Sequence, residues 1–123
     1  MRVERIRRSA AVVLLPLLVL LASCDDGAAV QTVNVSLKNS EVYQYPAAGG
    51  DEEGARISSQ AAHYAISEIR RDAQTGWVST YVYQPQAAFV GVDYVEIEIL
   101  TGSDGASPPT SIKRVAFRFD VHN

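Results

Sequence analysis

Tyr83 to Leu100 reads YQPQAAFVGVDYVEIEIL, and this stretch decides the fold. Pro85 fixes its own φ and has no N–H for a ladder, so the run ending at Val82-Tyr83 is expected to leave its sheet there. Gln86-Ala87-Ala88 makes a short connection. Phe89 is a large apolar side chain in that connection and is expected to plug back into the core. Gly91 can take a positive φ where the chain bends sharply. Asp93 follows, and a short carboxylate beside a bend accepts backbone N–H bonds. Val95, Ile97 and Ile99 then alternate with Glu96 and Glu98. A period of two, branched apolar on one side and carboxylate on the other, is a half-buried strand.

The rest of the chain is read outward from there. Val115, Phe117, Phe119 and Val121 alternate with Arg114, Ala116, Arg118 and Asp120, which gives a closing strand. Its basic outward face can pair across-strand with Glu96 and Glu98. Between the two, TGSDGASPPTS is a turn region, and Pro108-Pro109 discourages pairing. Upstream, Trp77 to Tyr83 (WVSTYVY) reads as a strand with Trp77, Ser79, Tyr81 and Tyr83 on one side. Asp72 to Gly76 reads as a hairpin-like loop. His63 to Arg71 (HYAISEIRR) has no clean face, but its β-branched residues and strand neighbours favour a strand over a helix. Gln31 to Leu37 alternates Val33, Val35 and Leu37 with polar residues. Glu41 to Tyr45 reads as a short strand stopped by Pro46, Ala47 to Gly54 as an exposed loop, and Ile57-Ser58 as the start of another strand. About six to eight short strands with turns between them, and no helix, spell an all-β sandwich of antiparallel strands.

The spacing Tyr83-x-Pro85, then Phe89-x-Gly91-x-Asp93-x-Val95-x-Ile97, then a glycine-containing loop and an alternating strand, resembles the bacterial immunoglobulin-like and cadherin-like repeats. The resemblance covers roughly the last 50 residues. It implies an immunoglobulin-like β-sandwich over 31–123, used as a binding or structural module. Such repeats usually stand in tandem within long surface proteins; one copy is visible here, and the preceding half of the chain lies outside the resemblance.

The N-terminus reads as a targeting segment. Arg2, Arg5, Arg7 and Arg8 form a basic region with Glu4 as its one acid, and Ala10 to Ala22 is an uncharged run of 13 residues. A bilayer span needs about 20 residues, so the run suits the apolar part of a signal peptide, helical near 6–22. It ends in Leu21-Ala22-Ser23-Cys24, which resembles the bacterial lipobox. The resemblance implies cleavage before Cys24, a diacylglyceryl group on its sulfur and acylation of the new amine. Residues 1–23 are then a lipoprotein signal peptide, 24–30 a lipidated tether and 31–123 the folded domain. Cys24 is the sole cysteine, so no internal disulfide forms, and lipidation accounts for a lone thiol in an exported chain. Two or three acyl chains anchor stably, where one holds only marginally. Asp25-Asp26 after the cysteine resembles both the inner-membrane retention signal of enterobacterial lipoproteins and the surface-export signals of other groups. A plain solvated linker is the third reading, so the expected location is the bacterial cell envelope with the leaflet open.

Charge narrows the partners. The chain has 11 basic and 14 acidic residues; without the leader it keeps 7 and 13, a net charge near −6. An acidic domain lacks the basic stripe that nucleic-acid binding needs, and its charge does not draw it onto anionic lipid. The expected partners are the membrane, through the lipid, and an envelope protein or glycan.

Little in the chain points to chemistry. His63 and His122 are the only histidines; there is no His-x-His, no Cys–His cluster and no carboxylate at short spacing from His63 to suggest a transition-metal site. No catalytic residue, enzyme activity or cofactor is expected. Asp51, Glu52 and Glu53 form a run of hard oxygen ligands, a possible calcium cluster, although no EF-hand loop is present. Asp93, Asp104 and Asp120 lie at loops or strand ends. Trp77, Tyr81 and Tyr83 on one strand face form a candidate sugar-stacking platform, the basis of an alternative reading as a carbohydrate-binding accessory lipoprotein. The competing reading puts these rings in the core.

Overall fold

A computed structural model describes residues 29–102 and 107–123. The signal-peptide helix, the lipobox and Cys24 lie outside the described residues. Seven strands run in order: β1 Val30–Lys38, β2 Tyr43–Ala48, β3 Glu53–Ser59, β4 Tyr64–Arg70, β5 Ser79–Pro85, β6 Gly91–Thr101 and β7 Ser111–His122. They form a four-stranded sheet of order β1-β7-β6-β3 and a three-stranded sheet of order β2-β5-β4. The described residues contain no helix.

The β6–β7 pair is the longest ladder, with Val95 opposite Phe117 and Ile97 opposite Val115. Its alternation matches the sequence pattern: Val95, Ile97, Val115, Phe117, Phe119 and Val121 are all buried. The three-stranded sheet answers with Tyr81 and Tyr83 from its central strand. The rings meet across the gap between the sheets. Tyr83 stacks on Phe119 at 3.9 Å and Tyr81 on Phe117 at 5.4 Å, while Tyr45 meets Phe117 edge-on at 5.0 Å. Each ring buries a large apolar area, and offset or edge contacts add to that burial. This aromatic layer joins the two sheets without a disulfide.

Several details differ from the sequence expectation. β1 runs parallel to β7, from Val30 opposite Arg114 to Lys38 opposite His122, so the sandwich is not wholly antiparallel. Parallel neighbours need a long crossover, and here everything between the chain's first and last strands supplies it. β5 does not end before Pro85, which lies in the strand opposite Tyr64. Pro85 lies beside the β4–β5 register shift, and a bulge is a place where a sheet tolerates a proline. Pro46 likewise sits inside β2, where the register shifts between Pro46 and Ala48. The loop expected over 47–54 shrinks to 49–52 as β2 runs later and β3 starts earlier. Trp77 falls outside β5, which begins at Ser79.

The mixed periodicity of 63–71 has a structural cause. The β4–β5 register slips between Tyr64 and Ile66, leaving Ala65 as an extra residue. A bulge moves all later side chains to the other face. Tyr64 and Ile69 therefore both pack on the core, although their spacing fits no simple alternation.

Phe117 touches Tyr43, Tyr45, Tyr81 and Phe119, so it is the centre of the aromatic layer. Phe117→Ala is expected to lower unfolding free energy by about 3–5 kcal/mol, with Val33→Ala on half-buried β1 costing visibly less. Urea unfolding followed by tyrosine fluorescence and circular dichroism checks both.

Candidate functional site

The ladder registers define two ends of the domain. At one end lie the start of β1, the β2–β3 and β4–β5 turns and the β6–β7 connection, where Ala48 pairs with Ser79 and Thr101 with Ser111. At the other lie the β1–β2 turn (39–42), the β3–β4 connection (60–63), the β5–β6 turn (86–90) and the C-terminus, where Lys38 pairs with His122 and Gly91 with Val121.

This second end is built around Asp93. Inward alternation along β6 aims its side chain at the interior, and it is 2% exposed. A buried carboxylate is tolerated only when its oxygens are filled with hydrogen bonds. Four donors fill them here. Oδ1 accepts from the N–H of Ala62 at 2.9 Å and of Tyr94 at 3.0 Å. Oδ2 accepts from the N–H of His63 and the hydroxyl of Tyr83, both at 2.9 Å. The carboxylate thus fastens the β3–β4 connection to β5 and β6. The backbone acceptance expected of Asp93 is present, but the donors come from 30 residues upstream as well as from its own neighbour.

Phe89 closes the same corner. It packs on the core, as expected, and its ring stacks on the imidazole of His63 at 4.4 Å. Gly91 has φ of 142°, and a Cβ there would meet the Phe89 ring at 3.3 Å, so both conformation and space require glycine. His63 meets Asp93 through its backbone N–H, and its exposed ring lies against Phe89.

Beside this corner an open groove of about 410 Å³ is lined by Asn39, Ser40, Ala65, Gln84, Pro85, Ala87 and Ala88. Its walls come from the β1–β2 turn, the extra residue of the β4 bulge and the β5–β6 turn. Val42, Val90 and Tyr94 are exposed at the same end. The sequence reading did not find this groove. Its one local signal is the small-residue run Ala87-Ala88; the bulge that offers Ala65 is invisible until β4 is paired.

The aromatic platform is corrected by the structure. Tyr81 and Tyr83 are fully buried, whereas Trp77 is 63% exposed in the β4–β5 turn at the opposite end. The strand ends two residues short of Trp77, so its side chain never joins the tyrosines' face. The Tyr81 hydroxyl instead reaches Ser67 at 2.8 Å. Ser67 gives its proton to Gln60 Oε1, which also accepts the Ala61 N–H, so Tyr81 donates to Ser67.

The acidic run does not assemble either. Asp51 and Glu52 are exposed in the β2–β3 turn, and one Glu53 oxygen accepts from the N–H groups of Gly49 and Gly50. Among the described residues no group of three or more histidine, cysteine, aspartate or glutamate side chains is placed to hold a metal ion. Glu98 departs from the expected solvated face. It is buried beneath Arg56, at 2.6 Å, and Arg114, at 3.5 Å. Only this part of the expected cross-strand pairing forms: Arg118 meets Asp120, and Glu96 accepts from Ser58.

No family model matches the chain, and no curated protein matches it. Among solved structures it is similar to the cysteine protease inhibitor EhICP2 from Entamoeba histolytica. The TM-score is 0.45 at 8% identity, covering 76% of this chain and 95% of that one. It is also similar to a sialyltransferase from Photobacterium damsela, at TM-score 0.37 and 8% identity, covering 75% of this chain and 18% of that one. At these values neither likeness bears on what this chain does.

Two predictions test the corner. Asp93→Asn replaces one acceptor oxygen with an amide NH2 donor that faces other donors, and is expected to cost about 3 kcal/mol in urea unfolding, against under ~1 kcal/mol for Asp120→Asn on the surface. Burial raises the pKa of Tyr81, and burial followed by the Asp93 hydrogen bond and charge raises that of Tyr83. A raised folded-state pKa stabilises the fold fully below the unfolded value, near 10 for tyrosine, and the contribution fades as pH climbs beyond it. Stability should therefore fall above about pH 10, with these two phenols ionising only as the chain unfolds. Absorbance of phenolate alongside circular dichroism reads both events.

Proposed function

We propose that the protein is a lipoprotein of the bacterial cell envelope, held to a membrane through Cys24, whose immunoglobulin-like domain acts as a non-catalytic binding or structural module. The observation that carries this reading is the sequence Leu21-Ala22-Ser23-Cys24 closing the 13-residue apolar run Ala10–Ala22, with Cys24 six residues ahead of the first strand. A lipobox needs a signal segment before it and a short tether after it, and the spacing provides both.

The strand order supports the immunoglobulin-like part. One sheet of that fold holds the third, sixth and seventh strands, and the other holds the second, fifth and fourth. The same sets recur here as β3-β6-β7 and β2-β5-β4, with β1 placed beside β7. The inward tyrosines and phenylalanines fill the space that a disulfide and tryptophan occupy in antibody domains. Under this reading the membrane holds the β1 end, and the groove by Asn39, Gln84 and Ala88 at the opposite end is the surface offered to an envelope partner.

The test is made on the full chain expressed in a bacterial host. Mass spectrometry is expected to find a mature N-terminus at Cys24 carrying acyl chains, and the protein should sediment with membranes. Cys24→Ala should remain unacylated and keep residues 1–23. An unmodified Cys24 in the wild-type protein overturns the reading.

A further inference from the structure

We propose that Trp77 sits in the head-group layer of the membrane to which Cys24 is tethered, so that the domain is held by its β1 end at two points. This rests on the lipid-anchor reading above. Four observations lead to it.

The first is position. Trp77 lies in the β4–β5 turn, between Arg70, opposite Thr80, and Ser79, opposite Ala48. That is the end of the domain at which β1 begins with Val30. The second is reach. From Cys24 to Val30 is six residues, which extend to at most about 20 Å. A lipidated chain of this length holds the β1 end at a membrane surface, and a short tether gives every group there a high effective concentration at the bilayer.

The third is presentation. Trp77 is the only tryptophan in the chain, and it is 63% exposed although a large aromatic core lies within the same domain. Its turn is well ordered by its own bonds. The Trp77 N–H donates to the carbonyl of Asp72 at 2.8 Å, and the Thr75 N–H and the Asp72 N–H donate to each other's side chains at 3.0 Å. Gly76 and Trp77 both take positive φ, 63° and 62°. A left-handed backbone is disfavoured for a bulky residue, so the turn holds Trp77 against its own conformational preference, with the ring exposed. The fourth is chemistry. The net charge near −6 of the chain without its leader gives no electrostatic pull onto anionic lipid, which favours an apolar or amphipathic second contact there. An indole has an apolar body and one N–H donor, the combination that places tryptophan at membrane–water interfaces. Val30 and Ile112, also exposed, lie at the same end and extend the apolar character.

A single tryptophan makes the test direct. The full lipidated chain is placed in phosphatidylcholine vesicles, with one sample containing chains brominated close to the glycerol ester. The expected result is a blue-shifted emission in plain vesicles and a loss of intensity in the brominated ones. Unshifted, unquenched emission from protein that floats with the vesicles and carries acylated Cys24 overturns the seating of Trp77 and leaves the anchor intact. Protein that neither floats nor carries lipid overturns the anchor, and this proposal with it.

Discussion

One buried carboxylate sets the geometry of the end of the domain away from the start of β1. Asp93 points inward from β6, where water cannot solvate it, and an uncompensated charge there would cost several kcal/mol. It is tolerated because Ala62, His63, Tyr83 and Tyr94 each direct a donor at it. Those donors belong to three parts of the chain that lie in or between both sheets. Satisfying Asp93 therefore fixes where the β3–β4 connection crosses and how β5 and β6 approach. Tyr83 is bound on both sides of this arrangement: its ring stacks on Phe119, and its hydroxyl serves Asp93. The motif from Tyr83 to Asp93 is thus a single mechanical unit. Phe89 and Gly91 belong to it because the ring of one occupies the space a Cβ of the other would need.

The outer face of the four-stranded sheet uses charge differently. Glu98 is covered by two arginine side chains from β3 and β7, which bridge the neighbouring strands. Arg56 is largely and Arg114 partly open to solvent, so each pair is screened and contributes modestly. Its value is in register, since a one-residue slip of β3 or β7 would separate the arginines from Glu98. The inward face needs no such device, because the aromatic rings interlock by shape.

These two constraints leave the ends free to differ. The end built on Asp93 contains the groove and exposes Val42, Val90 and Tyr94. The end where β1 begins exposes Trp77, on a turn in which Gly76 and Trp77 take positive φ. In the proposed reading, one end meets the membrane and the other meets the partner, with the sandwich as the spacer between them. A strand of 11 or 12 residues, as in β6 and β7, gives that spacer a length of roughly 35–40 Å.

By itself, the sequence determined the all-β class, the half-buried faces of β6 and β7, the inward Phe89 and the positive φ at Gly91. These depend on alternation and on φ, which are local properties of the chain. It also contains the apolar run Ala10–Ala22 and the Leu21–Cys24 spacing on which the proposed anchor rests, read from linear order alone. Tertiary structure decided the parallel pairing of β1 with β7, the bulge at Ala65 and the donors that reach Asp93. It also separated Trp77 from Tyr81 and Tyr83, which alternation had put on one face. The physical reason is common to all of them: each depends on which strand lies opposite, and a strand's partner is chosen by burial of the whole sheet face, not by the residues beside it in sequence.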